Sequence, residues 1–158
     1  MNNIIGINQI NNLNDQLKGK KVVLVGGCFD ILHIGHITFL NNAKKNGDAL
    51  IVLLESNQKV RELKGEGRPI NIQKDRAEVL SALKSVDFIV LLPQITSNEE
   101  YNEIIKKINP NVIATTKGDS SLDYKERTAN LVNAEVIEVT DYINEKSTTK
   151  LLSLLGNI

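Results

Sequence analysis

The sequence predicts an α/β protein built on a doubly wound, parallel, five-stranded sheet with helices on both faces. Three observations carry this. Short β-branched apolar runs recur along the chain, each about the length of one buried strand. Between them lie segments whose apolar residues recur at helical spacing, and that alternation is the pattern of a parallel sheet connected by crossover helices. Glycines follow the first apolar run directly and lead into a helix, the usual form of a ligand-binding turn at a strand's carboxyl end.

Residues 1–20 form an Asn-rich extension in which Ile7, Ile10, Leu13 and Leu17 fit a short packing helix ending before Gly19. Lys21 to Val25 is the first strand. The next helix starts near Gly35 and His36, carries Ile37, Leu40 and Ala43 inward, and closes at Asn46-Gly47. Ala49 to Leu54 is the second strand, followed by a polar loop with Gly65, Gly67 and Pro69. A helix over about Ile72 to Lys84 turns Ala77, Leu80 and Leu83 inward, and Phe88 to Leu92 is the third strand. Ser97 and Glu100 form a capping box for a helix running to Ile108. Val112 to Thr115, a helix over Tyr124 to Val132 and Glu135 to Val139 continue the alternation. A last helix begins near Ser147 and carries Leu151, Leu152, Leu154 and Leu155. No linker or internal repeat divides residues 21–158, which read as one domain.

Composition narrows the function. Lysine plus arginine equals aspartate plus glutamate at 19 each, so no broad basic surface for nucleic acid is expected, and any anion site is local. A single cysteine, Cys28, excludes an internal disulfide and points to a reducing compartment. No apolar run approaches 18 residues and no leader pattern opens the chain, so a cytoplasmic protein without a membrane span is expected.

Ligands of such sheets bind beyond the carboxyl ends of the strands, so the loops there are the functional candidates. The first is Gly26 to His36, GGCFDILHIGH. A helix starting at Gly35 offers unpaired N–H groups and the positive end of its dipole to an anion, and Gly35 lets a ligand approach the backbone. His33 and His36, three apart, can point both imidazoles at one phosphate. The second loop, Arg61 to Arg76, holds three of the chain's four arginines among glycines and a proline, with Lys64, Arg68 and Arg76 as phosphate candidates or simply a solvated charged loop. The third is Thr115 to Asp119, where Lys117 and Gly118 follow a strand. The fourth, Ser147-Thr148-Thr149-Lys150, is either a helix cap or a second anion-binding helix start.

His33-Ile34-Gly35-His36, with Phe29-Asp30 ahead of it, resembles the HIGH signature of the nucleotidyltransferase superfamily, which includes cytidylyltransferases, phosphopantetheine adenylyltransferase and class I aminoacyl-tRNA synthetases. The resemblance implies a Rossmann-like, HIGH-type nucleotidyltransferase fold. Gly27 to His33, with Leu63-Lys64-Gly65 through Arg68-Pro69 to Arg76, most resembles the adenylyltransferase domain of ADP-heptose synthase, which adds AMP to D-glycero-β-D-manno-heptose 1-phosphate. Glycerol-3-phosphate cytidylyltransferase shares Ser147-Thr148-Thr149-Lys150, and FAD synthase is a third relative. Departures from the heptose pattern are Gly26 in place of Asn, Lys117-Gly118-Asp119-Ser120-Ser121, and Glu145-Lys146.

What the resemblance implies is in-line attack by an acceptor phosphate on the α-phosphorus of ATP or CTP, with pyrophosphate released and Mg²⁺ held on the triphosphate rather than by the protein. His33 and His36 then face the triphosphate, joined by Arg76 and Thr148, while Lys64 closes over the site. Gly27, Cys28, Phe29, Asp30 and Gly35, with Lys117, Gly118, Asp119, Ser147, Thr148 and Thr149, surround the nucleotide. Lys44 and Arg68 are candidates for the acceptor, and Cys28 is a packing residue rather than a nucleophile. A homodimer is expected, with a separate sugar kinase upstream. Two other readings are a nucleotide-binding module without turnover and a fragment of an aminoacyl-tRNA synthetase. The latter is disfavoured by length and by the lack of a KMSKS-like segment.

Overall fold

The structure is a computed structural model that describes residues 3–141 and 148–156. Its centre is an all-parallel sheet of six strands: β1 (Ile4–Gly6), β2 (Val22–Gly27), β3 (Ala49–Leu54), β4 (Phe88–Leu91), β5 (Val112–Thr116) and β6 (Glu135–Thr140). They lie side by side as β1-β4-β3-β2-β5-β6. The chain builds outward from β2 through β3 to β4, then returns to the other side of β2 for β5 and β6. That reversal leaves a crevice at the carboxyl ends of β2 and β5, where ligands of doubly wound sheets bind.

Every residue of β3 is buried, as expected for a strand covered on both faces. Its side chains divide by parity. Ala49, Ile51 and Leu53 join Leu24, Val90 and Ile113 in one core, which α1 (Ile10–Leu17) and α5 (Asn98–Ile108) cover with Leu13, Ile104, Ile105 and Ile108. Leu50, Val52 and Leu54 join Val23, Val25 and Ile89 in the other, covered by α2 (Ile34–Lys44) and α4 (Gln73–Ser81) through Leu40, Ala43, Ala77 and Leu80. Helices α3 (Asn57–Lys64), α6 (Leu122–Leu131) and α7 (Thr148–Leu155) complete the set among the described residues.

Two expectations are corrected. The sheet has six strands rather than five, because Ile4–Gly6 adds to the free edge of β4, with Ile5 beside Val90. A three-residue strand is too short to show alternation, and only the exposed edge of β4 gives it a partner. A single 3-10 turn over Ile7–Gln9 then leads into α1, the helix expected there. The polar stretch after β3 is also not all loop. Ser56 caps α3 by accepting from the Lys59 N–H at 3.1 Å, and Gly65, at φ +95°, ends it. The cap at Ser97 forms as expected, with its Oγ accepting from Glu100 N at 3.3 Å. The Glu100 carboxylate reaches one residue further back, to Thr96 N and Oγ1.

Candidate active site

Between β2 and α2 the chain makes a tight loop whose glycines have distinct reasons. A Cβ on Gly27 would sit 2.8 Å from the Phe29 ring, so only glycine lets that ring fold back over the strand end. Phe29 itself takes φ +44°, a conformation uncommon for a bulky residue and held here by burial of the ring. The ring packs against His36, with centroids 5.2 Å apart. His36 in turn stacks on His33 at 3.9 Å.

His33 caps α2. Its Nδ1 accepts from Gly35 N at 3.1 Å, so in the neutral ring the proton is on Nε2. Both imidazoles line a cavity of about 850 Å³ above the strand ends. His36 Nδ1 is buried without a hydrogen-bond partner among the described residues. Burial, with the neighbouring His33 and Lys64, holds the His36 pKa down at about 4 against an opposing pull from the Ile31 carbonyl, and burial lowers that of His33. At neutral pH both rings are therefore uncharged N–H donors at the positive end of a helix.

The sequence candidates separate into three groups. Gly27, Cys28, Phe29, Asp30, Gly35, Lys64, Arg68, Asp119, Thr148 and Thr149 do line the cavity with the histidines. Thr148 Oγ1 donates to Ile31 O at 2.8 Å, tying the start of α7 to the loop before the histidines. Asp30 and Arg68 line it as a mutual pair, Nε to Oδ2 at 2.6 Å, and Asp30 also accepts from Ile70 N and Asn71 N. Burial acts to raise the Asp30 pKa, but those backbone donors and Arg68 outweigh it and hold the carboxyl low. Asp30 thus fastens the 68–71 loop beside the site. Asp119 is fastened as well: Lys125, Ser121 and Thr115 donate to it and, against burial, keep it ionised.

Arg76, expected on the phosphates, is redirected. It is 1% exposed and gives its guanidinium to the carbonyls of Asn71 (3.0 Å), Cys28 (2.6 Å) and Glu55 (2.9 Å) and to Asn57 Oδ1 (3.0 Å). It clamps the ends of β2 and β3 together rather than facing the cavity. Lys44, expected near the acceptor, lies at the opposite end of the sheet, where its Nζ bonds Asp87 Oδ2 and Asp48 O at 2.6 Å. A helix starting at the carboxyl edge of a parallel sheet must run back towards the amino edge, and a residue on its last turn is carried there. Lys117 and Gly118 do not line the cavity; Lys117 N bonds Thr140 O and joins β5 to β6. Ser147 lies outside the described residues.

Glu55, Lys59, Tyr101 and Lys125 are among the cavity groups not singled out from sequence. Glu55 directly follows the apolar run of β3, so the rule that loops after strands carry function would have found it. Lys59, Tyr101 and Lys125 sit on helices, and only the docking of those helices shows which side faces the cavity. Among the described residues no cluster of three or more His, Cys, Asp or Glu side chains is placed to hold a metal ion.

A doubly wound parallel sheet with two stacked, neutral histidines at a helix start beside its switch point is the arrangement that resemblance to the HIGH-type nucleotidyltransferases implies. The family model of cytidylyltransferase-like proteins matches residues 24–153, and the chain belongs to that family. Over 138 residues it is 41% identical to the bifunctional protein HldE of Campylobacter fetus subsp. fetus, and over 135 residues 44% identical to that of Sulfurimonas denitrificans, in both cases across 85% of this chain. The matches take up 28% and 26% of those proteins, so the chain spans about a quarter of the length of these relatives. Among solved structures it resembles the lipopolysaccharide core biosynthesis protein of Thermoplasma volcanium, at TM-score 0.66 and 25% identity, covering 79% of this chain and all of that one. Pantoate-β-alanine ligase of Francisella tularensis shares the fold, at TM-score 0.62 and 16% identity over 89% of this chain and 68% of its own.

Proposed function

We propose that the chain transfers AMP from ATP to a sugar 1-phosphate, D-glycero-β-D-manno-heptose 1-phosphate, releasing pyrophosphate and giving ADP-heptose. The single observation that carries the transferase chemistry is the His33–His36 stack at the start of α2, 3.9 Å apart and open to the cavity. Support for the heptose acceptor comes from the similarity to the HldE proteins and from the Cys28 and Leu63-Lys64-Gly65 segments.

Attack of an acceptor phosphate oxygen on the α-phosphorus requires no protein nucleophile. What it requires is alignment of two anions and donors for charge that moves to the bridging and equatorial oxygens. The imidazole N–H groups and the N–H groups at the start of α2 are such donors, and Lys64 adds a positive charge on the cavity wall. Mg²⁺ fits as a partner of the triphosphate. The carboxylates of Asp30 and Asp119 are already engaged by Arg68 and Lys125, so the cation's ligands would be chiefly phosphate oxygens and water, and its chemistry there is charge neutralisation. A kinase acting before this step would supply the phosphosugar, and a homodimer is proposed from family resemblance.

The test is pyrophosphate release with each of the four nucleoside triphosphates against heptose 1-phosphate and glycerol 3-phosphate. The expected result is a kcat/KM for ATP at least about tenfold above CTP, because a site that pairs a base edge leaves its own polar groups unpaired with the wrong base. CTP with glycerol 3-phosphate as the faster pair would overturn the acceptor and keep the reaction class.

A further inference from the structure

The cavity extends to both sides of β2, whose following loop carries the histidines. One wing, under β5 and β6, holds Asp119, Thr148 and Lys125. The other, under β3, α3 and α5, holds Glu55, Lys59 and Tyr101, to which nothing above assigns a role.

Glu55 is fixed on every side. Its N–H donates to Gly27 O at 3.1 Å, beside the histidine loop, and its carbonyl accepts from Arg76. The Tyr101 hydroxyl sits between its two carboxylate oxygens, 2.9 Å from each. Burial raises the Glu55 pKa, opposed by the hydrogen bond from Tyr101 and by Lys59, whose ammonium lies 3.8 Å from Glu62. A carboxylate offers about four acceptor positions, and one shared hydroxyl proton leaves capacity on the cavity side. A half-buried carboxylate with only part of its acceptor capacity filled draws in donors. A phosphate has none to give at neutral pH and is repelled, whereas two adjacent hydroxyls match the spacing of the two carboxylate oxygens.

We propose that Glu55, held in place by Tyr101, reads adjacent hydroxyls of the acceptor, so that the β3 wing selects a polyol or sugar phosphate. The inference rests on the proposed transferase reaction, with the base in the β5–β6 wing, but not on the acceptor being a heptose. Glycerol 3-phosphate also carries two adjacent hydroxyls.

The experiment is steady-state kinetics of wild type, Glu55→Gln and Tyr101→Phe, with the nucleotide and acceptor varied separately, on whichever of heptose 1-phosphate and glycerol 3-phosphate wild type uses. Glu55→Gln keeps the size and removes the charge and one acceptor. The expected result is a rise of about tenfold or more in KM for the acceptor, with KM for the nucleotide and the unfolding temperature within error of wild type. Tyr101→Phe moves the acceptor KM in the same direction by less, and it decides the matter should Glu55→Gln fail to fold. Wild type should also lose efficiency on a deoxy acceptor lacking one of the hydroxyls, and Glu55→Gln should lose less. A KM increase for the nucleotide instead would place Glu55 on the ribose and overturn the proposal, as would an unchanged acceptor KM. Should wild type prefer glycerol 3-phosphate, the heptose reading falls and the role of Glu55 is read on that acceptor. Turnover of neither polyol phosphate overturns both.

Discussion

His36 combines two properties that conflict in water and coexist here: it packs half-buried against Phe29 and it lines the cavity proposed to take the triphosphate. Burial keeps it neutral, and the helix start supplies the positive potential that a charged ring would otherwise have provided. His36→Ala is expected to fold and to lose about 10²-fold or more in turnover, the scale for removing one preorganised donor. Pyrophosphate release alongside circular dichroism checks this. The same depressed pKa makes a stability statement. With a folded pKa of about 4 against an ordinary 6.5, the unfolded chain binds the proton more readily between those values, so stability is lost as pH falls through that window. The loss from this residue is up to about 3 kcal/mol by pH 4. The lowered carboxyls of Asp30 and Asp119 add acid lability below their ordinary range. Urea unfolding at pH 7 and pH 4.5 should show a smaller difference for His36→Asn than for wild type.

The elements around the site are joined by side chains that read as ligands in the sequence and work as ties in the fold. Asp30 holds the 68–71 loop, Thr148 holds α7 to the histidine loop, and Arg76 joins α4 to the ends of β2 and β3. Gln73 adds a further tie by donating to Leu54 O and Leu92 O. Arg76→Met removes donors from three backbone carbonyls in a buried place, each worth about 1–3 kcal/mol. The expected outcome is a stability loss of about 3 kcal/mol or more, a fall of about 10 °C in Tm for a chain of this size. A direct phosphate-binding role predicts the opposite pattern, a KM increase for ATP with Tm unchanged. Calorimetric melting together with ATP titration separates the two. Such ties were half legible. That an arginine belongs near the strand ends follows from its loop, but whether it meets a phosphate or a carbonyl depends on where its neighbours' backbones stop.

At the scale of the molecule, the reversal of strand order at β2 opens the cavity, and the two cores hold its walls. Residues 3–17 belong to this architecture: β1 covers the edge of β4, and Ile10, Leu13 and Leu17 enter the core beneath α5. Asn14 fastens the same segment by donating to Lys107 O at 2.6 Å. Leu13→Ala, at a side chain 1% exposed, should cost about 2–5 kcal/mol while leaving KM values near wild type, since α1 lies away from the cavity. Deletion of residues 1–20 should lower Tm further and raise aggregation, because β4 then presents a bare strand edge. Light scattering during thermal melting reads both effects.

The sequence by itself determined the alternation of strands and helices, the parallel sheet, the histidine pair at a helix start and the family that this pair marks. These are local properties, fixed by side-chain periodicity and by the N–H groups any helix start leaves unpaired. Tertiary structure decided the rest. It turned Arg76 inward onto carbonyls, carried Lys44 to the far edge, added a sixth strand from three residues, and brought Glu55, Tyr101 and Lys125 into the cavity from separate elements. The physical reason is that a side chain's partner is set by which elements the sheet order places together, and Glu55 and Tyr101, 46 residues apart in sequence, meet only once β3 and α5 have docked.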